Sequence, residues 1–563
     1  MRRLIRKTAA VTAAAVLAAS ALSACGGGGV SFEGGKREPL TNEEAQAEIS
    51  ALLKQVTVNE VENPQLDIYA EEVSEADALA DISTFPVTVK GNGEIDIEIA
   101  AATEMSSEAP DDWMNVVAKN FNKEGFQIGG KSVSVSVRKI TSGETLTYMV
   151  SGGYRPVVYA PSNYAWGEML SASGVNVITL ADRIAGNTAG ILIKKEDYDA
   201  FKEKYGEATV KSVLEATNSG DLIFAYTNPY TSSTGLNILT AMLKSFDAEA
   251  PLSDTAQASL LEYQKSSPPV AYTTGVLRNQ AAKGIINAMV MEEQAYVNTP
   301  ELKGYVYIPA GIRHDHPVYT FDYVSDEERE AAQMFADYCK NEKSQKLADE
   351  RGFNLHDDYA GEDPGLDGAG YLAAQKVWKQ NKNGGKPVIA VFVADISGSM
   401  DGLPLNSLKQ SLISSSSYIG SDNYIGLVSY SSDVTVNLPI GQFDAKQRAY
   451  FSGEVKSLRA SGSTATYDAV LVALDMLTKK AAEVPDAKLM LFVLTDGDTN
   501  VGYKLDRVTP IVEGMRVPVY SIAYNYSNTG ELEELSNTNE AALIKADSDD
   551  VVNALRNLFN VVA

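Results

Sequence analysis

The chain has 563 residues, too many for a single hydrophobic core, so two or three domains are expected. Its 74 acidic residues outnumber 48 basic ones, which gives a formal net charge of −26. Nucleic acid and anionic membrane surfaces repel such a charge, and neither is expected as the main partner. The acidity is foremost a solubility feature, and it also attracts cations.

The first 25 residues have the pattern of an export segment. Four basic residues among the first seven precede an Ala-rich apolar run over 8–22, and Leu-Ser-Ala-Cys ends at Cys25. A membrane-spanning helix is the weaker interpretation, because the run is short and poor in large apolar residues. The pattern resembles a bacterial lipoprotein signal peptide. The resemblance implies removal of residues 1–24, lipid attachment at Cys25, and an extracytoplasmic protein anchored in the cell membrane, at the cell surface or in the periplasm.

A Gly-rich stretch over 25–40 predicts a flexible tether. Thr41 and Glu44 then form a capping-box pattern, which predicts the start of a helix. We expect residues 41–85 to be an N-terminal extension, to which the sequence assigns no role. Cys339 is the other cysteine of the chain; it lies in a helical pattern and is predicted to be packed and inert, without a disulfide framework.

The next region, 86–355, alternates strand and helix patterns. Acidic residues separate Ile95, Ile97 and Ile99, and Ser alternates with Val over 132–137, as in strands with one buried face. Alternation of strands and helices predicts an α/β fold with parallel sheets, and the length of the region predicts two lobes.

Hydroxyl side chains gather where two strands of this region lead into helices. Exposed N–H groups and the helix dipole at such junctions favour an anion or a polar ligand. Helix capping is an equal alternative for these side chains. The ligand-binding candidates are Ser106, Ser107, Thr231, Ser232, Ser233 and Thr234.

Three segments of the region, 228–235, 288–296 and 307–319, resemble those of bacterial extracellular solute-binding proteins of the two-lobed periplasmic type. The resemblance implies a small solute bound between the lobes. In the same segments we expect His314 and His316 to be turn and surface residues rather than metal ligands. Glu292 and Glu293 are expected on a solvated helix face.

Residues 356–386 are rich in Gly, Asp and Asn, a composition that predicts a linker. The last region, 387–563, predicts a doubly wound sheet with crossover helices. Its strand over 388–395 is apolar on both faces, as in a central parallel strand. Such folds bind ligands at the carboxyl ends of their strands, where Asp395 and Asp496 are expected.

Five oxygen-bearing side chains are expected to meet at that edge. Mg²⁺ is commonly held by one or two carboxylates and keeps several waters, and hydroxyls add neutral oxygens. Helix capping is the alternative role for the first three side chains. The candidate metal ligands are Asp395, Ser397, Ser399, Thr464 and Asp496.

The Asp-x-Ser-x-Ser loop, the distant Thr and the more distant Asp resemble the metal-ion-dependent adhesion site (MIDAS) of von Willebrand factor A (VWA) domains. The resemblance implies a Rossmann-like fold that binds Mg²⁺, with Mn²⁺ or Ca²⁺ as substitutes. It makes Ser397, Ser399 and Thr464 the hydroxyl ligands, with the two aspartates acting mainly through bound water or in an alternative coordination. A protein partner would donate a carboxylate to the metal.

The sequence therefore predicts a membrane-anchored binding protein with a cation-dependent partner site and a solute-binding-like region. The alternative is the substrate-binding component of an ABC-type importer with an accessory VWA domain. An enzyme is not expected, because the chain has three His residues and neither a Gly-x-Ser-x-Gly motif nor a phosphate-binding loop.

Overall fold

A computed structural model describes residues 40–67, 79, 82–266, 268–271, 274, 277–278, 281, 286–416, 419–524, 530–538 and 543–546. The predicted signal peptide, the lipidation site Cys25 and most of the Gly-rich tether lie outside these residues. Among the helices that the structure describes, none is both long and apolar enough to cross a membrane. Leu40–Ala563 belong to one compact unit.

The helices of the described residues are α1 Asn42–Leu52, α2 Thr103–Ser106, α3 Trp113–Glu124, α4 Ser142–Val150, α5 Ala165–Ala172, α6 Lys195–Tyr205, α7 Val210–Asn218, α8 Ser233–Phe246, α9 Asp254–Lys265, α10 Glu293–Val297, α11 Asp326–Cys339, α12 Glu342–Glu350, α13 Gly368–Asn381, α14 Leu403–Ser415, α15 Ala445–Ser457, α16 Thr466–Glu483, α17 Leu505–Met515 and α18 Gly530–Thr538.

The strands of the described residues are β1 Val58–Glu60, β2 Val87–Val89, β3 Ile95–Ala101, β4 Gln127–Ile128, β5 Lys131–Lys139, β6 Val158–Ala160, β7 Val177–Ala181, β8 Thr188–Lys194, β9 Phe224–Thr227, β10 Val270–Ala271, β11 Ala288–Glu292, β12 Tyr305–Arg313, β13 Val318–Phe321, β14 Val388–Asp395, β15 Tyr424–Tyr430, β16 Val434–Gln442, β17 Lys488–Thr495, β18 Val519–Tyr524 and β19 Leu543–Ala546.

Two of the sheets form the two lobes of the middle region. In lobe 1 the strand order is β2-β5-β3-β6-β13-β7, with β4 paired to β5. Lobe 2 has the order β10-β9-β11-β8-β12. The chain passes from lobe 1 to lobe 2 between β7 and β8, and returns between β12 and β13. The α/β prediction is confirmed, and so is the alternation in β3, where Ile95, Ile97 and Ile99 are buried and Asp96 is exposed.

The third sheet has the described strand order β1-β16-β15-β14-β17-β18-β19. Its central strand β14 is buried along its whole length, as its apolar sequence predicts, and runs parallel to both β15 and β17. Because Ala394 pairs with Leu494, the two strands end side by side. Asp395 and Asp496 therefore follow neighbouring strands at one edge of the sheet.

The N-terminal segment packs against this third sheet rather than against the lobes that follow it in sequence. The predicted capping box starts α1, with Glu44 N donating to Thr41 Oγ1 at 3.3 Å and Thr41 N donating to Glu44 Oε2 at 2.9 Å. Ile49 of α1 is buried in the core beneath α16 and α17. Strand β1 extends the sheet by pairing in parallel with β16, where Val58 lies opposite Val434. The domain around the third sheet is thus built from chain segments on both sides of the two lobes.

Helix α13, within the segment expected to be a linker, contacts both lobes. Tyr371 is buried in the core of lobe 1, with its hydroxyl 3.2 Å from that of Tyr164. Two turns later, Trp378 is buried in lobe 2 and donates from Nε1 to the hydroxyl of Tyr226 at 2.9 Å. The chain then continues from α13 into β14.

Candidate functional site

The carboxylate of Asp395 is buried at the carboxyl end of β14. Its Oδ1 accepts a hydrogen bond from the backbone N–H of Ser397 at 2.7 Å, and its Oδ2 accepts one from Thr495 Oγ1 at 2.6 Å. Burial raises the pKa of this carboxyl group, and the nearby charge of Asp496 raises it further. Two hydrogen-bond donors therefore hold the Asp395 carboxylate in place, and the carboxylate is shielded from solvent.

A chain of short contacts runs from this loop to the next strand. The hydroxyl oxygens of Ser397 and Ser399 lie 3.0 Å apart, and Ser399 Oγ donates to Asp496 Oδ1 at 2.8 Å. Partial burial also raises the pKa of Asp496. Four of the five candidate metal ligands thus lie within one connected group of side chains.

The fifth candidate, Thr464, is buried in a loop that is hydrogen-bonded to the loops on both sides of it. Gly398 N donates to the carbonyl of Gly462 at 3.0 Å, which joins this loop to the one after β14. Asn500 holds it from the other side: Thr464 N donates to Asn500 Oδ1 at 2.9 Å, and Asn500 N donates to Thr464 O at 3.0 Å. The sequence analysis did not single out Thr495 or Asn500, although both lie in the Thr-Asp-Gly-Asp-Thr-Asn segment that contains Asp496.

The geometry at this edge fits a small, hard cation. Neighbouring ligands of an octahedral Mg²⁺ at about 2.1 Å lie about 3.0 Å apart, close to the separations along Ser397, Ser399 and Asp496. Within the described residues, neither Asp395 nor Asp496 pairs with a Lys, Arg or His side chain. The same part of the chain has no cluster of three or more His, Cys, Asp or Glu side chains suited to a metal. A cation here would depend on hydroxyl oxygens as much as on carboxylates.

A cavity of about 340 Å³ lies between the two lobes. Lobe 1 contributes the end of β3 and the start of α4, and lobe 2 contributes the start of α8 and the end of β11. The described residues that line it are Thr103, Glu104, Ser107, Asp111, Thr141, Ser142, Ser162, Thr231, Ser232, Ser233, Thr234, Thr274, Arg278, Glu292, Gln294 and Ala295.

Five of the six candidate ligand residues line this cavity. Ser106 does not, because it is fully buried and its hydroxyl donates back to the carbonyls of Ala101 and Ala102 at 3.1 and 2.9 Å. Ser107 lines the cavity but donates to the carbonyl of Thr103 at 2.7 Å. Ser232 caps α8, with Gly235 N donating to its hydroxyl at 3.3 Å. Capping and lining therefore occur together at this junction.

The two lobes contact each other beside the cavity. Ser233 of lobe 2 donates to the hydroxyls of Ser142 and Ser162 of lobe 1 at 3.2 and 2.9 Å. Trp166 Nε1 donates to Ser233 Oγ at 2.8 Å. Gly143 lies so close to lobe 2 that a Cβ placed on it would be 1.9 Å from the carbonyl oxygen of Tyr230. The lobes are therefore closed against each other at this point.

The expectations for two histidines and two glutamates of this region were wrong. His314 and His316 are fully buried, and Glu292 and Glu293 are also buried. His314 Nδ1 lies 2.6 Å from Glu292 Oε1, and His356 Nδ1 lies 2.6 Å from Glu293 Oε1. Glu292 is the last residue of the buried strand β11 and Glu293 follows it, so the apolar run before them was the signal for burial.

His316 forms a buried ion pair with Glu104, a residue of the cavity wall. His316 Nε2 lies 3.2 Å from Glu104 Oε1. The hydrogen bond to Glu104 and its charge outweigh burial and raise the pKa of His316, while His316 lowers the pKa of Glu104. In contrast, burial lowers the pKa of His314 to about 3, so this ring is neutral. The two histidines therefore carry different charges although they are two residues apart.

Comparisons with known proteins give two matches along the chain. Residues 100–354 match the family model of bacterial extracellular solute-binding proteins, and residues 390–559 match that of the von Willebrand factor type A domain. The inter-alpha-trypsin inhibitor heavy chain H3 of Bos taurus is 31% identical over 182 residues, which are 29% of this chain and 20% of that protein. The chain thus spans about a fifth of the length of the curated relatives it matches.

Solved structures with similar folds fall into the same two groups. Iron-bound HitA from Pseudomonas aeruginosa aligns with 13% identity over 52% of this chain and 99% of its own, at a TM-score of 0.39. The von Willebrand factor type A protein from Catenulispora acidiphila aligns with 19% identity over 31% of this chain and 42% of its own, at a TM-score of 0.29.

Proposed function

We propose that this chain, which combines a solute-binding-like region with a VWA domain, is a lipid-anchored extracytoplasmic protein that captures a protein partner in a cation-dependent way. The candidate metal ligands are Asp395, Ser397, Ser399, Thr464 and Asp496, with Mg²⁺ as the expected ion and Mn²⁺ or Ca²⁺ as substitutes. In this proposal Cys25 carries the lipid, and the inter-lobe cavity takes a small solute.

The observation that carries the proposal is the connected group of Ser397, Ser399 and Asp496 beside the buried Asp395. A divalent cation bound there supplies open coordination positions for a carboxylate of the partner. Asp395 holds the serine loop in place through the Ser397 N–H, and Asn500 holds the loop that carries Thr464. Since few protein charges face the ion, it keeps enough positive charge to attract an anionic ligand from outside.

Both modules are typically binding or adhesion modules rather than catalytic domains. A lipid anchor would hold the chain on the outer side of the membrane, where such a site meets other proteins. Stable anchoring needs more than one acyl chain, as the lipoprotein pattern at Cys25 implies.

The test uses the mature chain with Asp395→Ala and, as a matched control, Asp433→Ala, which removes an exposed carboxylate from the loop after β15. Calorimetric titration with Mg²⁺ and Mn²⁺ should give one site in wild type and Asp433→Ala, and none in Asp395→Ala. Pull-down from the native envelope should recover a partner with wild type and the control, and lose it in EDTA. Equal recovery by Asp395→Ala, or no heat from either metal, would refute the proposal.

The polar cavity favours a second candidate function, the substrate-binding component of an ABC-type importer with an accessory VWA domain. In that case the solute stabilises the closed lobes by mass action, and the chain co-purifies with membrane permease subunits whether or not EDTA is present. Partner recovery that depends on the metal supports the first function, and recovery that does not supports the second.

A further inference from the structure

Residues with polar side chains make up almost the whole lining of the inter-lobe cavity, and their carbon atoms contribute close to half of its surface. Ala295 is the single apolar side chain among the described residues that line it, and none of those residues is aromatic. At roughly 30 Å³ for each water-sized atom, a volume of about 340 Å³ holds on the order of ten non-hydrogen atoms. A tetrahedral oxyanion or a single metal ion would fill less than half of it. The cavity therefore fits a small organic molecule that carries polar groups.

Three acidic side chains, Glu104, Asp111 and Glu292, line the cavity. Glu104 is paired internally with His316, but Asp111 and Glu292 form no ion pair with Lys or Arg among the described residues. Asp111 accepts a hydrogen bond from Gln294 Nε2 at 2.7 Å, and the neighbour of Glu292 is the neutral ring of His314.

Burial raises the pKa of both Asp111 and Glu292, as expected for acids that lack a counter-ion. Arg278 also lines the cavity and lowers the pKa of Asp111, and because Glu104 is paired with His316, this one guanidinium remains for the two acids Asp111 and Glu292. A positively charged group of a ligand would supply the missing charge.

Hydroxyl donors of the cavity wall lie at the start of α8. Thr231 and Thr234 line the cavity and are only 8% and 3% exposed, and their hydroxyls make no hydrogen bond within the described residues. The helix has 14 residues, so its dipole favours negative charge at this end. Because both residues line the cavity, a ligand or water in it can accept a hydrogen bond from these hydroxyls.

We propose that the cavity binds a small organic zwitterion, with its ammonium group toward Asp111 and Glu292 and its carboxylate toward Thr231 and Thr234. Asp111 belongs to lobe 1 and the two threonines to lobe 2, so such a molecule bridges the lobes. The inference rests on the proposed solute-binding role of the cavity and is independent of the metal site. A bare oxyanion has no positive group for the acids and brings further negative charge into a cavity that they line.

The experiment measures melting temperature and calorimetric affinity of the mature chain with defined probes. The zwitterions are glycine, L-serine, L-glutamine, 4-aminobutyrate and glycine betaine. Ethanolamine and lactate each keep one of the two charged groups. Sulfate and molybdate represent inorganic anions, and ferric citrate represents a chelated metal ion. At least one zwitterion should raise the melting temperature of the chain. Ethanolamine and lactate should bind the chain at least about a hundredfold more weakly than that zwitterion, because each leaves either the acids or the hydroxyls of the cavity unpaired.

Variants locate the bound zwitterion in the cavity. Asp111→Asn and Thr234→Val should each lower its affinity about tenfold or more, whereas Glu108→Gln, an exposed acid of the same loop, should not change it. Asp395→Ala should bind it as wild type does, which separates this result from any failure at the metal site. Tighter binding of sulfate, molybdate or ferric citrate, equal binding of ethanolamine or lactate, or no stabilisation by any of the five zwitterions would overturn the proposal.

Discussion

Ser399 and Asp496 are joined by a hydrogen bond of 2.8 Å from the serine Oγ to the aspartate Oδ1, although 97 residues separate them in the chain. The bond is possible because β14 and β17 are parallel neighbours that end at the same level. Two loops that are distant in sequence therefore share one set of oxygen atoms at the edge of the sheet.

Replacement of Thr464 tests which hydroxyl of its loop binds the metal. Thr464→Val removes one neutral oxygen and should lower the affinity for Mg²⁺ and Mn²⁺ about tenfold or more. Ser463→Ala, the adjacent hydroxyl, should leave the affinity unchanged. Calorimetric titration measures the metal affinity of both variants. A loss of affinity in Ser463→Ala but not in Thr464→Val would assign the ligand to Ser463.

Thr495 is not a candidate metal ligand, but removal of its hydroxyl should still weaken metal binding. Thr495 Oγ1 donates to Asp395 Oδ2 at 2.6 Å and orients that carboxylate. Thr495→Val keeps the shape of the side chain, so we expect a 10- to 100-fold loss of Mn²⁺ affinity, roughly as for other residues that orient a ligand. Thr478→Val is the control, because its hydroxyl bonds only to the carbonyl of Leu474 within α16. Unchanged affinity in Thr495→Val would contradict this role.

Truncation of Ile49 should destabilise the VWA domain even though the residue lies far from it in sequence. Ile49 is 1% exposed in the core formed with α16 and α17. Ile49→Ala should therefore lower the free energy of unfolding by about 2–5 kcal/mol, as for other large-to-small core substitutions. Urea unfolding, followed by a probe in the VWA domain, measures the change. Glu43→Ala, an exposed change in the same helix, should stay within about 0.5 kcal/mol of wild type.

A methyl group at Gly143 should force the lobes apart. Its Cβ would lie 1.9 Å from the carbonyl oxygen of Tyr230, and a backbone atom cannot move away without moving lobe 2. Gly143→Ala should lower stability by about 1–3 kcal/mol and increase the radius of gyration in small-angle scattering. Gly153→Ala meets its nearest neighbour at 3.4 Å and should behave as wild type. An unchanged radius in Gly143→Ala would show that the contact does not control lobe closure.

The ion pair of Glu104 and His316 should make stability depend on pH in a defined window. The pKa of Glu104 is lowered from 4.5, so its contribution is present above about 4.5 and is lost in more acidic solution. The pKa of His316 is raised from 6.5, so its contribution is complete below about 6.5 and is lost as the pH rises through the folded-state value. Asp111, Glu292 and His314 also lie near the pair of Glu104 and His316, and they shift the pH limits of its contribution to stability.

The stability difference between wild type and His316→Gln, measured by urea unfolding, should therefore be greatest between about pH 4.5 and 6.5 and decrease on both sides. His356→Gln is the control, since His356 lies at a half-exposed site and pairs with a different glutamate. A difference for His316→Gln that does not change between pH 5 and 9 would contradict a charged pair.

The sequence predicted those parts of the molecule that depend on short, local patterns. The strand through Ile95, Ile97 and Ile99 and the capping box of Thr41 and Glu44 are confirmed, because each follows from residues that are neighbours in the chain. The sequence-predicted group of Asp395, the serines and Asp496 comes together in the structure because parallel strands bring their carboxyl ends to one edge.

Contacts between distant segments could not be predicted in this way. The capping box indicates where α1 starts but not that Asn42 lies beside Met515, 473 residues later. His314 and His316 were expected at the surface because their polarity was weighed without the glutamates that pair with them, one of which, Glu104, lies 212 residues away. Ser106 was expected in the ligand site, since a sequence does not reveal that a hydroxyl bonds back to its own helix.

The packing of α1 and β1 on the third sheet also determines how the protein carries mechanical load. If the chain is anchored through Cys25 as proposed, tension from Leu40 would reach the edge at Ser399 through α1, α17 and the strands of this one domain. The two lobes branch from this domain and return to it, so they lie outside the line of force.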